Sequence, residues 1–372
     1  MARTPQSSPP VLPGFAYLRP LGAGGFADVF LYEQDLPRRT VAVKVLSSDA
    51  IDPAARRLFD AEANAMAQLS MHPSILTIHQ ASISSDGRPY LVTEYCPETF
   101  GERYRRAPIA LPVVLDTGIR MAAALETAHR AGMLHRDVKP SNILVTQLGQ
   151  PVLGDFGIAA SASGPDDQEQ LVAMSIPWSS PEVVSERTTG TVRSEIWSLG
   201  ATLYTLLAGR SPFASPERER NTRELMRERV LRAHYTPLHR PDVPPQVEQL
   251  LARTMAKDPE QRPSTMLQLA EELRRLQQEL GLLPTPIDVA SGIAAPSAGP
   301  QDGRGPVIST VSRDSRRAAR AAGQTPSVSR DPDEVVVAAR GGGWKAGIVG
   351  GVVAGVIVAA TIVVLLLTGV IG

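Results

Sequence analysis

Cysteine is almost absent from this chain: Cys96 is the only one in 372 residues, so no intrachain disulfide can form, which suits a reducing cytosol. Histidine is scarce too, and its six copies together with Cys96 show no zinc-ligand spacing. Net charge is missing as well. The 38 basic and 38 acidic residues cancel, which removes the electrostatic case for nucleic acid as a partner. The N-terminus lacks an apolar leader: Thr4-Pro5-Gln6-Ser7-Ser8-Pro9-Pro10 is polar and proline-rich. Residues 1–14 are therefore expected to be disordered, and the part that follows to start and stay in the cytosol.

Against these absences stand two short runs that carry chemistry. One is His135-Arg136-Asp137-Val138-Lys139-Pro140-Ser141-Asn142; the other, Asp155-Phe156-Gly157, begins 13 residues after Asn142. Asp-Phe-Gly alone usually marks a turn, but a solvated loop has no reason to carry the eight-residue set in this order. Upstream lies Leu21-Gly22-Ala23-Gly24-Gly25-Phe26-Ala27-Asp28-Val29, where missing side chains let backbone N–H groups approach anionic oxygens. It precedes the strand-like run Val41-Ala42-Val43-Lys44-Val45-Leu46. A two-residue period puts Val41, Val43 and Val45 on one face and Ala42, Lys44 and Leu46 on the other. A helix is expected from Asp52-Pro53 to about Leu69, with Leu58, Glu62, Ala65, Met66 and Leu69 on one face. A carboxylate in that apolar stripe needs a cation, and Lys44 on the adjacent strand is the candidate.

Taken together, these stretches resemble the membrane-anchored serine/threonine protein kinases of eukaryotic type found in bacteria, over about residues 15–277. Further matches follow in order: Ser180-Pro181-Glu182, then Ser194-Glu195-Ile196-Trp197-Ser198-Leu199-Gly200, then Asp258-Pro259-Glu260-Gln261-Arg262-Pro263. The resemblance implies an α+β, bilobal fold with a β-rich N-lobe and a helical C-lobe. It also implies transfer of the γ-phosphate of ATP, with Mg2+ or alternatively Mn2+, to Ser/Thr hydroxyls of protein substrates and of the chain itself. Phosphoryl transfer asks for a carboxylate to orient the attacking hydroxyl, a cation beside the γ-phosphate, and oxygen ligands for the metal.

By the same resemblance Asp137 is the catalytic carboxylate, Lys139 the catalytic cation, and Asn142 and Asp155 the metal ligands. Nucleotide binding is assigned to Leu21, Gly22, Ala23, Gly24, Gly25 and Val29, to Ala42 against adenine, and to Lys44 on the α- and β-phosphates with Glu62 beside it. In the hinge Thr93-Glu94-Tyr95-Cys96, Glu94 and Cys96 would offer backbone groups to adenine. Thr93 falls at the gatekeeper position, and the Cys96 side chain reads as ordinary packing. Lys139 two residues after Asp137 follows the serine/threonine rather than the tyrosine pattern. Ser175 stands where a threonine usually contacts Asp137 and Lys139, and Arg262 is expected to pair with Glu182.

Two positions depart from the family pattern. Ala27 replaces a third glycine, and Glu195 replaces an aspartate, its extra methylene changing the reach to the catalytic-loop backbone. A pseudokinase scaffold that binds nucleotide and partners without efficient transfer is the alternative these departures keep open. In such kinases the cation at Arg136 commonly awaits a phosphate on the activation loop. Between Gly157 and Pro181 there is no threonine; Ser161, Ser163 and Ser175 are the hydroxyls, and Asp166, Asp167 and Glu169 carry negative charge without modification.

After a last helix over about 264–280, residues 278–343 read as a disordered juxtamembrane linker rich in Pro, Gly, Ser and Arg. Thr285, Ser309, Thr310, Ser312, Thr325, Ser327 and Ser329 are expected there as exposed hydroxyls, open to autophosphorylation and to phosphothreonine-binding partners. From Ala346 to Gly372 no residue is charged. A bilayer core needs about 20 apolar residues in helix, so 346–371 is expected to span a cell membrane. Arg340 and Lys345 flank its N-terminal side, which puts the kinase in the cytoplasm and the C-terminus at the outer face, with no outer domain. Gly347, Gly351 and Gly355 form a small-residue stripe that would let two such helices make a homodimer.

Overall fold

The computed structural model describes residues 7–23, 27–46, 59, 63, 64, 66–156, 175–238 and 240–290. Gly24, Gly25, Glu62, Gly157, Ser161, Ser163, the acids at 166, 167 and 169, the hydroxyls from Ser309 onward and the apolar run 346–371 lie outside the described residues. Among the described residues no helix is long and apolar enough to cross a membrane.

The N-terminal lobe is built on a five-stranded antiparallel sheet of β1 (Phe15–Ala23), β2 (Ala27–Gln34), β3 (Arg39–Leu46), β4 (Ile78–Ile83) and β5 (Pro89–Glu94), ordered β1-β2-β3-β5-β4. Alternation along β3 has the expected consequence. Val41, Val43 and Val45 are buried with Phe30, Tyr32, Tyr90 and Val92 in a core on the outer face of the sheet. Ala42 and Lys44 point the other way and stay half-exposed, with Val29 opposite Lys44 and Thr93 opposite Ala42 in the register. Residues 63, 64 and 66–69 are helical, and Phe59, Ala63, Met66 and Leu69 are buried at helical spacing, which agrees with the C-terminal part of the helix expected to end near Leu69.

The expectation of disorder through residue 14 is corrected for residues 7–14; residues 1–6 lie outside the described residues. Leu12 inserts into the outer core, the Tyr32 hydroxyl donates to the Pro10 carbonyl at 2.6 Å, and the Ser7 N–H donates to Asp28 Oδ2 at 2.9 Å. The apolar outer face of the sheet needs a cover, and prolines with φ already restricted lose little entropy in supplying an extended one.

The second lobe is helical. Its short sheet, β6 (Glu98–Thr99), β7 (Ile143–Val145) and β8 (Pro151–Leu153), is followed in space by α1 (Phe100–Arg106) and α2 (Leu111–Arg130). Next come α3 (Pro181–Val184), α4 (Val192–Ala208), α5 (Arg223–Arg232), α6 (Pro245–Thr254) and α7 (Met266–Glu279). Helix α4 runs through the core: it starts on a Thr191–Ser194 capping box, buries Trp197 and Tyr204 fully, and ends on Gly209 at φ 70°. Gly101 lets α1 rest on the loop before β7, since a Cβ there would lie 2.8 Å from Ser141 Cα.

The chain does not leave the domain at residue 277. Residues 281–290 pack back onto it, and Thr285, expected as an exposed linker hydroxyl, is buried. At both ends a Pro-rich stretch without an apolar period docks as an extended strap because the surface beneath offers partners.

Candidate active site

The loop from His135 to Asn142 is held from below and from the side. His135 is fully buried; its Nδ1 accepts the Asp137 N–H at 3.2 Å, so Nε2–H donates to the Gly154 carbonyl at 2.8 Å. Its ring lies 4.6 Å from that of Phe156, centroid to centroid. One imidazole thus ties the loop that carries Asp137 to the strand end that carries Asp155. Two non-glycine residues here sit at positive φ, Arg136 at 64° and Asp155 at 57°, conformations that persist only where surroundings over-determine them.

Glu195 of α4 supplies part of that determination. Its Oε1 accepts the Arg136 N–H at 2.6 Å and its Oε2 accepts from His129 Nε2 at 2.6 Å, with both side chains almost fully buried. The extra methylene is accommodated: the carboxylate reaches the strained backbone and is steadied by a histidine at the end of α2. His129 was not singled out by sequence reasoning; the only signal was its position at the helix end, six residues before His135.

At the reacting end, four side chains converge. Ser175 Oγ donates to Asp137 Oδ1 at 2.6 Å, Lys139 Nζ lies 2.7 Å from Asp137 Oδ2 and 3.1 Å from Ser175 Oγ, and Asn142 Nδ2 donates to Asp137 Oδ2 at 2.9 Å. A carboxylate, an ammonium, an amide and a hydroxyl are therefore one network, and the expected Ser175 contacts are present. Asn142 spends its amide nitrogen on Asp137, and its carbonyl oxygen, which accepts from Ser141 Oγ at 3.4 Å, keeps a second lone pair for a cation.

Across the cleft, Lys44 Nζ pairs with Asp155 Oδ1 at 2.5 Å. That ammonium holds the Asp155 carboxyl well below the usual carboxylate range. The expected partner, Glu62, lies outside the described residues, as do Gly24 and Gly25. Val29 and Ala42 share the inward face with Lys44, Leu21 is half-buried and Gly22 exposed at the end of β1, and Ala23 is the last residue of that strand. In the hinge, Glu94 Oε1 accepts the Thr77 N–H at 3.0 Å, Thr93 is buried, and burial pushes the half-buried Cys96 thiol up to about 12.

A hard divalent cation suits this donor set. Asp155 and the Asn142 carbonyl present oxygen donors of the kind a hard cation takes, and magnesium commonly takes one or two protein oxygens. Accordingly, no group of three or more His, Cys, Asp or Glu is placed to hold a metal among the described residues. Farther out, Arg262 and Glu182 form the expected bidentate pair at 2.6 and 3.0 Å, with the guanidinium 5.0 Å over the Trp197 ring.

Comparison with known proteins agrees with this arrangement. The family described as protein kinase domain matches residues 15–273. The serine/threonine-protein kinase PknK of Mycobacterium bovis is 37% identical over 282 residues, covering 74% of this chain and 25% of PknK. A probable serine/threonine-protein kinase of Streptomyces coelicolor is 32% identical over 75% of the chain and 41% of its own length. PknA of Mycobacterium tuberculosis is 33% identical over 66% of the chain and 57% of PknA. The chain thus spans only a quarter of PknK and just over half of PknA.

Proposed function

This chain belongs to the protein kinase family, among the bacterial serine/threonine kinases of eukaryotic type, and from that membership we propose that it moves the γ-phosphate of ATP to Ser and Thr hydroxyls of proteins. The observation that carries the reading is the network of Asp137, Lys139, Asn142 and Ser175. Asp137 accepts the proton of the acceptor hydroxyl as its oxygen bonds to phosphorus, and ADP leaves. Lys139 offsets the negative charge on the transferred group beside it. Lys44 draws the nucleotide phosphates toward Asp155, and Asp155 and Asn142 would hold a magnesium ion, which would supply positive charge to those phosphates. Positioning and electrostatics supply most of the catalysis in such a site. A pseudokinase lacks one of these groups; here the described ones are present and oriented, and Glu195 meets the backbone it must hold.

Anchoring is part of the proposal: the uncharged run 346–371 would span the cell membrane, with the kinase domain cytoplasmic, the C-terminus at the outer face and the Gly347, Gly351 and Gly355 stripe available for a homodimer. Autophosphorylation, and partners that read phosphorylated linker residues, belong to the same reading. The test is transfer of labelled phosphate from ATP with magnesium to a generic Ser/Thr acceptor, with an Asp137→Asn control and fractionation of the expressed chain. Incorporation that persists in the control, or a chain that stays out of the membrane fraction, would overturn the corresponding half.

Glu195→Gln offers a sharper check on the α4 contact. The amide oxygen can still accept the Arg136 N–H, but without the charge that strengthens that bond, and its NH2 is satisfied by His129 only if the ring moves its proton to the unpartnered, buried Nδ1, so the strained backbone is held less firmly. We expect transfer to slow by about tenfold, the equivalent of about 1.4 kcal/mol, with the KM for ATP nearly unchanged, since Lys44 and Asp155 are untouched. A raised ATP KM with an intact turnover rate would contradict the assignment.

A further inference from the structure

We propose that residues 282–290 form a clamp that positions the nucleotide site from behind, anchored by Thr285 at one end and by His72 at the other. The proposal rests on the kinase reading and deepens it. Helix α7 stops at Gly281, φ 68°, and the Leu282 N–H donates back to the Gln277 carbonyl at 2.8 Å, which turns the chain onto the body of the domain.

Thr285 then locks in. Its hydroxyl donates to Asp116 Oδ1 at 2.8 Å and accepts from Gln277 Nε2 at 2.9 Å, while its N–H donates to Gln277 Oε1 at 2.8 Å. Gln277 is 2% exposed with the strap in place, and Thr285 supplies partners to both ends of its buried amide. Five residues on, the Ala290 N–H donates to Thr127 Oγ1 on α2 at 3.2 Å, and His72 Nε2–H donates to the Asp288 carbonyl at 2.5 Å. Burial lowers the His72 pKa, and its Nδ1 accepts the Ser74 N–H at 3.0 Å, so the ring is neutral with its single proton on the strap.

His72 is well placed to matter. Its N–H donates to the Leu69 carbonyl, ending the helical residues 66–69. Two residues later Ser74 O accepts the Leu153 N–H and Leu76 N–H donates to Leu153 O, both at 2.9 Å. Leu153 ends β8, two residues before Asp155. Strap, His72, the 72–76 loop, β8 and Asp155 are thus one run of direct contacts, the kind of contiguous packing through which coupling can travel. The strap leads straight into residues 291–372, so a pull or a partner acting on that part reaches the nucleotide site through it.

Thr285→Glu in the full-length chain tests this, because the new carboxylate faces Asp116. Expected are fast hydrogen exchange in 282–290, faster exchange in 66–76, and a KM for ATP raised at least roughly fivefold, the low end of intersite coupling. Thr285→Ser, which keeps the hydroxyl, should behave as the unaltered chain. Release of the strap with unchanged exchange in 66–76 and unchanged ATP KM would reduce it to a surface cover. A strap that stays protected in Thr285→Glu would remove Thr285 as an anchor; either result overturns the proposal. Absence of phosphate transfer in the unaltered chain would instead sink the kinase reading, and the exchange arm would still judge the clamp.

Discussion

Asp137→Asn is expected to cut phosphate transfer by about 10³-fold, the middle of the range for a lost general base, with ATP affinity and folding intact. The reason lies in the hydrogen bonds around that side chain. Asp137 faces two donors on one oxygen, Lys139 at 2.7 Å and Asn142 at 2.9 Å, and the Ser175 hydroxyl at 2.6 Å on the other. An asparagine can turn its carbonyl toward the two donors and its NH2 toward Ser175, whose hydroxyl then accepts instead of donating. Shape and satisfaction survive; the proton acceptor does not. Single-turnover transfer at saturating ATP, beside an equilibrium measurement of nucleotide binding, separates these quantities. Loss of nucleotide binding in step with loss of transfer would mean that Asp137 holds the site together rather than serving the reaction.

Arg262→Ala should be the most destabilising of the single changes considered, at about 3–5 kcal/mol for a broken buried pair, or a fall in Tm on the order of 10 °C. Arg262 is fully buried at its side chain and Glu182 nearly so. Besides the carboxylate, the guanidinium donates to the carbonyls of Ala256, Arg193 and Lys257, so its removal strands the carboxylate and three carbonyls. The effect on pH dependence is distinctive. Burial pushes the Glu182 pKa up, but the bonds and charge of Arg262 more than reverse this, and the net position is below the usual 4.5. A lowered folded-state pKa gives stability that is complete above the ordinary Glu range and is lost as pH falls through the folded value. With Arg262 gone, burial is the largest influence left, opposed only by smaller bonds from the backbone and Ser180, so ionised Glu182 is expected to cost stability as pH rises past its unfolded value. Thermal melts across the acid range should show the gap between the two proteins narrowing on acidification. A constant gap would mean that Glu182 is not the titrating partner.

Much of the site was legible because kinase chemistry is written in short runs. Asp137, Lys139 and Asn142 lie within six residues, and a turn that short can hardly avoid bringing them together. Ser175 and the Arg262–Glu182 pair were recovered across longer gaps only because a family pattern stood in for geometry. Lys44 shows the limit. Its strand face followed from alternation, but its contact with Asp155 joins residues 111 apart and depends on how the lobes close on each other. His129 carries no motif of its own; its role exists only because Glu195 reaches it across 66 residues.

The sequence by itself determined the alternation of β3 and the chemical identity of the proposed catalytic groups, since periods and tight turns act over a few residues. Only the tertiary structure decided where the domain ends. Ser7 on Asp28, Thr285 on Asp116 and Gln277, and Asp288 on His72, the last pair 216 residues apart, are extended segments meeting polar groups on a finished surface. Such contacts leave no period in the chain, because their free energy comes from satisfying buried donors and acceptors that exist only once the rest has folded.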